Sequence, residues 1–447
     1  MKKFLKILAV LVFLVIGYLL VLELYPKNAN RFPFLVLLLA GDYYLWNSVK
    51  GWILRQRSFV KYSLGMLYWL PFMLLVGTSL LSLTMAPEAW NPFSRIYIFG
   101  FIFVAYAAKI LPVLFLAIAD LVRGIQHLHH KSSSLRSEEA KHAGGKKITR
   151  SQFMKQAGLI SGGIIFAGLF TGMIKWAFDF KVHRHHIRLP HLPLSFNNLR
   201  IVQISDIHLG SWASKTALAE AVRKINELEP DIVFFTGDLV NYKTDEAFPF
   251  ESILGELKAP MGVFATLGNH DYGDYTRWPS KQDKVKNMQD LYDFYDRIGW
   301  RLLNNENLVY ANPDGKLAVI GVENWGDFSR FPKYGDLTKA MNGAGDADVK
   351  LLLSHDPSHW DKIVSKKHHN IDITFAGHTH GFQFGIEIRN ITWSPAQYVY
   401  KRWAGLYPNP DLKDKQQYLY VNRGLGTIGY PGRVGILPEI TVFDLTA

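Results

Sequence analysis

Five times in the C-terminal half of this chain, a short apolar run leads into residues that bind metals. Ile201-Val202-Gln203-Ile204 stops at Asp206 and His208, and Ile232-Val233-Phe234-Phe235 stops at Asp238. Gly262-Val263-Phe264-Ala265 leads to Asn269 and His270, Lys350-Leu351-Leu352-Leu353 to His355, and Ile371–Phe375 to His378 and His380. Runs of β-branched and aromatic residues at this length read as buried strands. Between the first two, Leu218, Val222, Ile225 and Leu228 share one face of a helix over Ser214–Glu229. Strands alternating with helices make sheets covered by helices, and such sheets gather their sites at the carboxyl ends of the strands. Leu317–Val322 reads as one more strand of the set.

Taken singly, each cluster has a plainer reading. Asp206-x-His208 suits a surface turn, His355 suits a hydrogen-bonded structural histidine, and Gly268-Asn269-His270-Asp271 suits turn chemistry. His378-x-His380 says more, because alternate residues of an extended segment point the same way. The ordered set says most: Asp206, His208, Asp238, Asn269, His355, His378 and His380 offer seven oxygen and imidazole ligands along one edge. That is a site for two divalent cations, which at about 3.5–4 Å apart form a common machinery for displacement at phosphorus. With no cysteine in the chain, disulfides and thiolate metal sites are excluded.

The first part of the 447 residues is of another kind, dominated by Leu, Ile, Val, Phe, Gly and Ala. Five apolar stretches are candidate membrane helices: Ile7–Leu22, Phe32–Val49, Tyr62–Ala86, Ile96–Leu121 and Ala157–Ile174. A span needs about 20 mostly apolar residues. The expected organisation is a four-helix transmembrane region over 1–122, a cytoplasmic linker over 123–155, a fifth transmembrane helix over 156–178 and a catalytic domain over 186–447. Much of the net charge of +12 sits beside the spans, which makes orientation in a bilayer the plain explanation of the basicity. Lys2, Lys3, Lys50, Arg55, Arg57, Lys61 and the cations from Arg123 to Lys155 fall on one side, against only Lys27, Arg31 and Arg95 on the other. The positive-inside bias places the N-terminus in the cytoplasm, and five crossings then place the catalytic domain of this multi-pass cell-membrane protein outside it.

Smaller features get plain readings. Thr149-Arg150-Ser151-Gln152-Phe153-Met154-Lys155 resembles a twin-arginine export signal that has kept one arginine. Asp42 and Lys109 lie inside expected spans, where a packing ion pair between spans two and four is favoured over an ion pathway. Gly158-x-x-x-Gly162 and Gly168-x-x-x-Gly172 permit close helix contact. His183-Arg184-His185-His186 is expected as a connector after the last span, and His368 and His369 as solvated loop residues.

Asp206-x-His208, Gly237-Asp238, Gly268-Asn269-His270-Asp271, His355 and Gly377-His378-x-His380 together resemble the calcineurin-like metallophosphoesterase superfamily, over about residues 198–445. Ser354-His355-Asp356-Pro357 and the tail from Gly424-Leu-Gly-Thr427 through Arg433 to Pro438-Glu439-Ile440 are similar to its bacterial membrane-anchored members. The resemblance implies a four-layer α/β/β/α sandwich beside the α-helical transmembrane region. It implies that Asp206, His208, Asp238 and His380 hold one ion, and that Asp238, Asn269, His355 and His378 hold the other, with Asp238 bridging. Manganese, iron or zinc suits this mixture of ligands. A water between the ions would lose a proton and attack phosphorus in line. His270 would be the general acid, with Asn241 and Asp271 completing the catalytic group. Asn241 stands where the family often has an aspartate orienting that histidine, and Gly381-Phe382-Gln383 stands where the nearest members commonly have Gly-Gly-Gln.

Phe382, Gln383 and Tyr272 are the expected substrate contacts. Trp212, Tyr242, Tyr275, Trp278, Phe384, Trp393, Tyr398, Tyr400, Trp403 and Tyr407 crowd the same loops. They read either as ordinary loop packing or as a bilayer-facing rim that admits lipid. The partners expected are therefore the bilayer and a phosphorylated substrate, with lipid-linked compounds the class that the resemblance favours. The soluble half shows no concentrated basic patch, so nucleic acid is not an expected partner. The rival to an enzyme is a membrane sensor or transporter whose phosphoesterase-like domain binds a phosphorylated ligand without hydrolysing it.

Overall fold

Uncharged apolar sequence of membrane length satisfies its backbone internally by forming helices, and the described residues of the N-terminal region form five long ones. The computed structural model describes every residue except 1, 27–28, 86, 133–149, 390 and 413–415. It divides into two compact units, Met1–Ala86 with Phe101–Ala167, and Pro87–Gly100 with Gly168–Ala447. The long helices are Lys2–Leu24, Arg31–Ile53, Ser58–Thr84, Pro92–Ser132 and Arg150–Ile174. Among the described residues three stretches are long and apolar enough to cross a membrane, Ser58–Thr84, Pro92–Gln126 and Gln152–Phe178, and Leu8–Leu24 is a shorter apolar helix. The expected linker is helical at both ends. No proline follows Pro112 to stop the fourth helix before Ser132, and the fifth begins at Arg150. Its middle, 133–149, lies outside the described residues.

Within the first unit, Lys109 Nζ sits 2.5 Å from Asp42 Oδ1. Tyr106 Oη donates to Asp42 Oδ2 at 2.8 Å, and Tyr68 Oη donates to the Asp42 carbonyl at 2.6 Å. The ammonium lies 4.7 Å from the Tyr68 ring centroid. The two charges thus pair between the second and fourth of these helices. A Cβ on Gly162 would come within 2.6 Å of Pro112 Cγ and 2.8 Å of the Ala108 carbonyl, so glycine is what lets the fourth and fifth helices approach.

Among its described residues the second unit contains fourteen strands. In chain order they are β1 Lys181–Arg188, β2 Leu199–Ile204, β3 Ile232–Phe235, β4 Val263–Ala265, β5 Arg301–Leu302, β6 Glu306–Asn312, β7 Gly315–Gly321, β8 Val349–Leu353, β9 Ile373–Ala376, β10 Ile386–Ile388, β11 Ile391–Trp393, β12 Gly405–Pro408, β13 Tyr418–Val421 and β14 Glu439–Thr446. One six-stranded sheet has the order β1-β14-β2-β3-β4-β5, the other β12-β13-β9-β8-β7-β6, and β10-β11 is a separate hairpin. Alternation of side chains produces the layers. Ile232 and Phe234 of β3 meet Leu317 and Val319 of β7 and Leu351 and Leu353 of β8 in the core between the sheets. Val233 and Phe235 point the other way, with Leu218, Ile225, Leu291 and Phe294 from the helices Lys215–Asn226 and Lys281–Arg297. Ala318, Ile320 and Leu352 face outward from the second sheet onto Leu337, Ala340, Trp360 and Val364. Both faces of each central strand are covered, which is why these strands read as unbroken apolar runs. The architecture is a four-layer α/β/β/α sandwich.

One local expectation is corrected. His183-Arg184-His185-His186 is not a free connector: it lies in β1, parallel to β14 and in register from Lys181↔Glu439 to Arg188↔Thr446. The partner that makes it a strand is about 260 residues away along the chain, so nothing local announces it.

Candidate metal centre

The carboxyl ends of β2, β3, β8 and β9 lie side by side, and each gives way to a ligand-bearing loop. Asp206, His208, Asp238, His378 and His380, five of the seven expected ligands, have left-handed backbone, with φ from 49° to 72°. Such conformations are uncommon for residues other than glycine and concentrate at functional sites. Here they turn successive side chains onto one spot. The crowding extends to the backbone: a Cβ on Gly377 would lie 2.3 Å from Asp206 Oδ2, and one on Gly268 2.2 Å from Asp238 Oδ1.

Two triads result, Asp206 with His208 and His380, and Asp238 with His355 and His378, each with its ligand atoms within 4.8 Å of one another. His208 Nε2 faces His380 Nε2 at 3.0 Å, and His380 Nε2 is 3.3 Å from Asp206 Oδ1. His378 Nδ1 is 3.2 Å from His355 Nε2. Asp238 Oδ2 joins the triads, lying 3.2 Å from His355 Nε2 and 3.5 Å from His208 Nε2. Paired ring nitrogens and a shared carboxylate oxygen, buried together, make a donor set that a pair of divalent cations fits. Asn269, beside His270, carries a buried Oδ1 without a hydrogen-bond partner among the described residues, which suits a further ligand. The His355 ring is oriented from behind, Nδ1 lying 2.7 Å from the Thr236 carbonyl.

Burial opposes ionisation of Asp206 and Asp238, but the surrounding imidazoles, His380 for the first and His355 for the second, hold both carboxyls below the usual range. His355 answers in kind. Burial works against its charge, yet Asp238 pushes it up to about 10. Burial takes His208 well below its ordinary value. Ionised carboxylates and a neutral His208 are in the forms that bind cations, whereas His355 must give up the proton that Asp238 favours before it can bind one.

His270 stands at the rim, its ring 4.9 Å from that of His208 and 4.4 Å from that of Tyr275. Its backbone N–H donates to Asp238 Oδ1 at 2.8 Å, and its Nδ1 lies 2.8 Å from the Asn241 main-chain carbonyl. The orienting group is therefore the carbonyl of Asn241 and not its side chain, whose Oδ1 is buried without a partner among the described residues. Because a carbonyl only accepts, it fixes the proton on Nδ1 and leaves Nε2 for exchange.

Three other expected roles are corrected. Asp271 is fully buried, and its carboxylate accepts from the backbone N–H groups of Asp238, Leu239 and Gly268 at 2.8–2.9 Å. Burial, followed by the Asp238 charge, pushes its carboxyl up to about 7. It shapes the loop that carries Asp238. Tyr272 is buried, accepting at Oη from the Asn324 N–H at 3.1 Å, so it offers no substrate surface. Gln383 is buried as well: its Nε2 donates to the Tyr430 and Gly432 carbonyls at 2.8 and 2.9 Å, and its Oε1 accepts from the Ile428 N–H at 2.6 Å. Phe382 is 43% exposed.

The aromatic loops divide. Trp212 is buried and donates to the Ile207 carbonyl at 2.6 Å, which is packing. Tyr275 and Tyr400 reach the ligands: Asn269 Nδ2 donates to Tyr275 Oη at 2.9 Å, and Tyr400 Oη lies 3.2 Å from His378 Nε2. Two residues given no role from the sequence join them. Asp356 Oδ2 lies 3.5 Å from His378 Nε2, and the exposed Arg330 guanidinium stands 4.6 Å over the Phe331 ring, itself 4.8 Å from the His378 ring. Arg330 has no carboxylate partner among the described residues. Its adjacency to the ligands could have been guessed only for Asp356, next in chain to His355.

Residues 199–382 match the model of the calcineurin-like phosphoesterase family, and residues 28–176 match that of a probable calcineurin-like phosphoesterase transmembrane domain. A Danio rerio protein described as a transmembrane protein with metallophosphoesterase domain is 29% identical over 312 residues, 66% of each chain. The Bacillus subtilis metallophosphoesterase YkuE is 28% identical over 67% of this chain and 98% of its own. The UDP-2,3-diacylglucosamine pyrophosphatase LpxG of Chlamydia trachomatis is 30% identical over 55% of this chain and 83% of its own.

Proposed function

The chain belongs to the calcineurin-like metallophosphoesterases and is a membrane protein and a metal-dependent hydrolase of that family; on that premise we propose that it cleaves a phosphoester or pyrophosphate bond of a lipid-linked substrate at a dinuclear centre. The observation that carries the reading is the position of Asp238 Oδ2, shared between two ligand triads. In the proposed assignment Asp206, His208, Asp238 and His380 hold one cation, and Asp238, Asn269, His355 and His378 the other. Manganese, iron or zinc in these places would supply an activated water and neutralise charge at phosphorus.

The remaining steps fall to this chain's own groups. His270, held through Nδ1 by the Asn241 carbonyl, presents Nε2 to the substrate and hands a proton to the departing oxygen. Tyr275 and Tyr400 border the ligands and narrow the approach. Arg330 offers a guanidinium to anionic oxygens beyond the one reacting phosphoryl group. The activity named for the Chlamydia trachomatis relative, on a nucleotide diphosphate joined to a diacylated sugar, supports a substrate with that pairing of anionic and acyl parts. The cationic loops support five crossings with the domain outside the cytoplasm, and that side selects which leaflet's lipids it meets.

The test is hydrolysis by the full chain in vesicles, with manganese, zinc or iron added after chelation. The panel sets lipid-linked pyrophosphates beside water-soluble phosphoesters, with Asp238→Asn as control. Metal-dependent turnover of the lipid-linked compounds supports the proposal. Turnover confined to the soluble esters refutes its substrate, and no turnover of any, with metals bound, refutes its chemistry.

A further inference from the structure

The segment after the last metal ligands alternates in a sense opposite to that of a water-facing strand. Gln383, Gly385 and Glu387 point inward, while Phe382, Phe384, Ile386 and Ile388 point out, at 43%, 46%, 47% and 63% exposed. The β10–β11 register places Ile386 opposite Trp393 and Ile388 opposite Ile391, so these four share one face of the hairpin, and Ile391 is 66% exposed. The other face carries Glu387, whose carboxylate pairs with Arg423 at 2.9 Å. A sheet face in contact with water would carry its polar residues outside. This one keeps its charge within and offers isoleucine.

What covers that face is indicated by where the segment is fastened. Gln383 binds the Tyr430 and Gly432 carbonyls, and the Gly385 N–H donates to the Val434 carbonyl at 2.8 Å. The same loop grips the end of the last apolar helix. Tyr430 Oη donates to the Leu169 carbonyl, and the Arg433 N–H donates to the Gly172 carbonyl at 3.2 Å. A Cβ on Gly172 would meet the Arg433 carbonyl at 2.5 Å, so the contact is close. Leu169 and Gly172 lie in Gln152–Phe178, long and apolar enough to cross a membrane. The hairpin is therefore joined through a single loop to the C-terminal end of a helix long and apolar enough to cross a membrane. Exposed Arg389, next after Ile388, supplies a cation suited to anionic head groups.

We infer that the β10–β11 hairpin docks into the lipid bilayer, its Ile386–Ile388–Ile391 face seated at the boundary between head groups and acyl chains, and that it thereby holds the metal-bearing loop His378–Phe382 against the membrane surface. The inference rests on the membrane anchoring and needs no hydrolysis. An apolar face backed by polar contacts and edged with a cation is the pattern of interfacial elements.

Because the chain has no cysteine, one introduced thiol labels one site. Ile388→Cys is compared with Val285→Cys, on the helix Lys281–Arg297 and 69% exposed. Each full-length variant carries an environment-sensitive fluorophore and is reconstituted into phosphatidylcholine–phosphatidylglycerol vesicles, with or without brominated acyl chains. The expected result is blue-shifted emission at position 388 that brominated lipid quenches by about twofold or more, with neither change at 285. Emission at 388 matching that at 285 overturns the inference. So does a blue shift that brominated lipid leaves unquenched, since protein, such as a second copy of this chain, would then cover the face. Full metal-dependent turnover alongside either of those outcomes would leave the hydrolytic reading standing while removing this one.

Discussion

The two units bury charge in opposite ways. In the helical unit, Asp42 is enclosed, but each of its oxygens has a partner: Lys109, Tyr106 and, at the carbonyl, Tyr68. In the α/β unit, carboxylates and imidazoles are buried with their acceptor atoms crowded together, two ring nitrogens facing at 3.0 Å and Asn269 Oδ1 unpartnered among the described residues. A buried polar group normally finds its hydrogen bonds within the protein. Where it does, the group is structure. Where ring nitrogens are left facing one another and an amide oxygen has no donor, on a backbone that is strained as well, something from outside completes them. The contrast separates a packing pair from a binding site without appeal to residue type, since both contain buried ionisable side chains.

Predictions that would break this contrast begin at the metal side. Asp238→Asn removes the charge shared by both triads, so kcat/KM should fall by about a thousandfold or more, with metal content dropping in parallel. Retained metal and retained turnover would dissolve the dinuclear assignment. His270→Ala should keep both metals and lower kcat by about 10²–10⁴, because a general acid is lost while the ligands stay. Metal analysis beside single-turnover kinetics separates the two cases. On the helical side, Lys109→Met leaves the buried Asp42 carboxylate with the Tyr106 hydroxyl but without its counter-charge, which should cost about 3 kcal/mol of stability. The double variant Lys109→Met/Asp42→Leu should recover most of that loss, because two satisfied apolar groups replace two charges. Chemical unfolding in detergent micelles measures both. A double variant as weak as the single one would mean that the pair does more than pack.

The same contrast explains what the sequence made legible. Ile232–Phe235 and Lys350–Leu353 are strands covered on both faces, so their apolar runs are local, and the ligands after them follow by position alone. The Asp42–Lys109 pair was readable because a charge inside a membrane span demands a partner. What stayed hidden depends on distant contacts. Gln383 is claimed by carbonyls at 430 and 432, β1 by a strand at 439–446, and Asp271 by backbone N–H groups of another loop. Side chains of the same type, one residue along, could have faced substrate. Arg330 reaches the site only because the loop after β7 folds back over His378.

The smallest expected effect discriminates most finely. Asn241 replaces an aspartate that the family often uses to orient its histidine, and a side-chain reading would make this position costly to alter. The structure gives the task to the Asn241 carbonyl, which every residue except one forced into new backbone geometry retains. That carbonyl is held in place because the Asn241 N–H donates to Glu246 Oε2 at 2.6 Å. Asn241→Ala keeps both bonds and removes an amide oxygen that has no partner among the described residues. It should therefore change kcat by less than about threefold, within the reach of a lost weak contact, and leave the pH profile in place. A loss near that of His270→Ala would return the orienting role to the side chain. Asn241→Asp sharpens the comparison, since a carboxylate there would raise the histidine's pKa only if the side chain can reach it. An unmoved pH profile in that variant is the outcome that fits a histidine steered by the backbone.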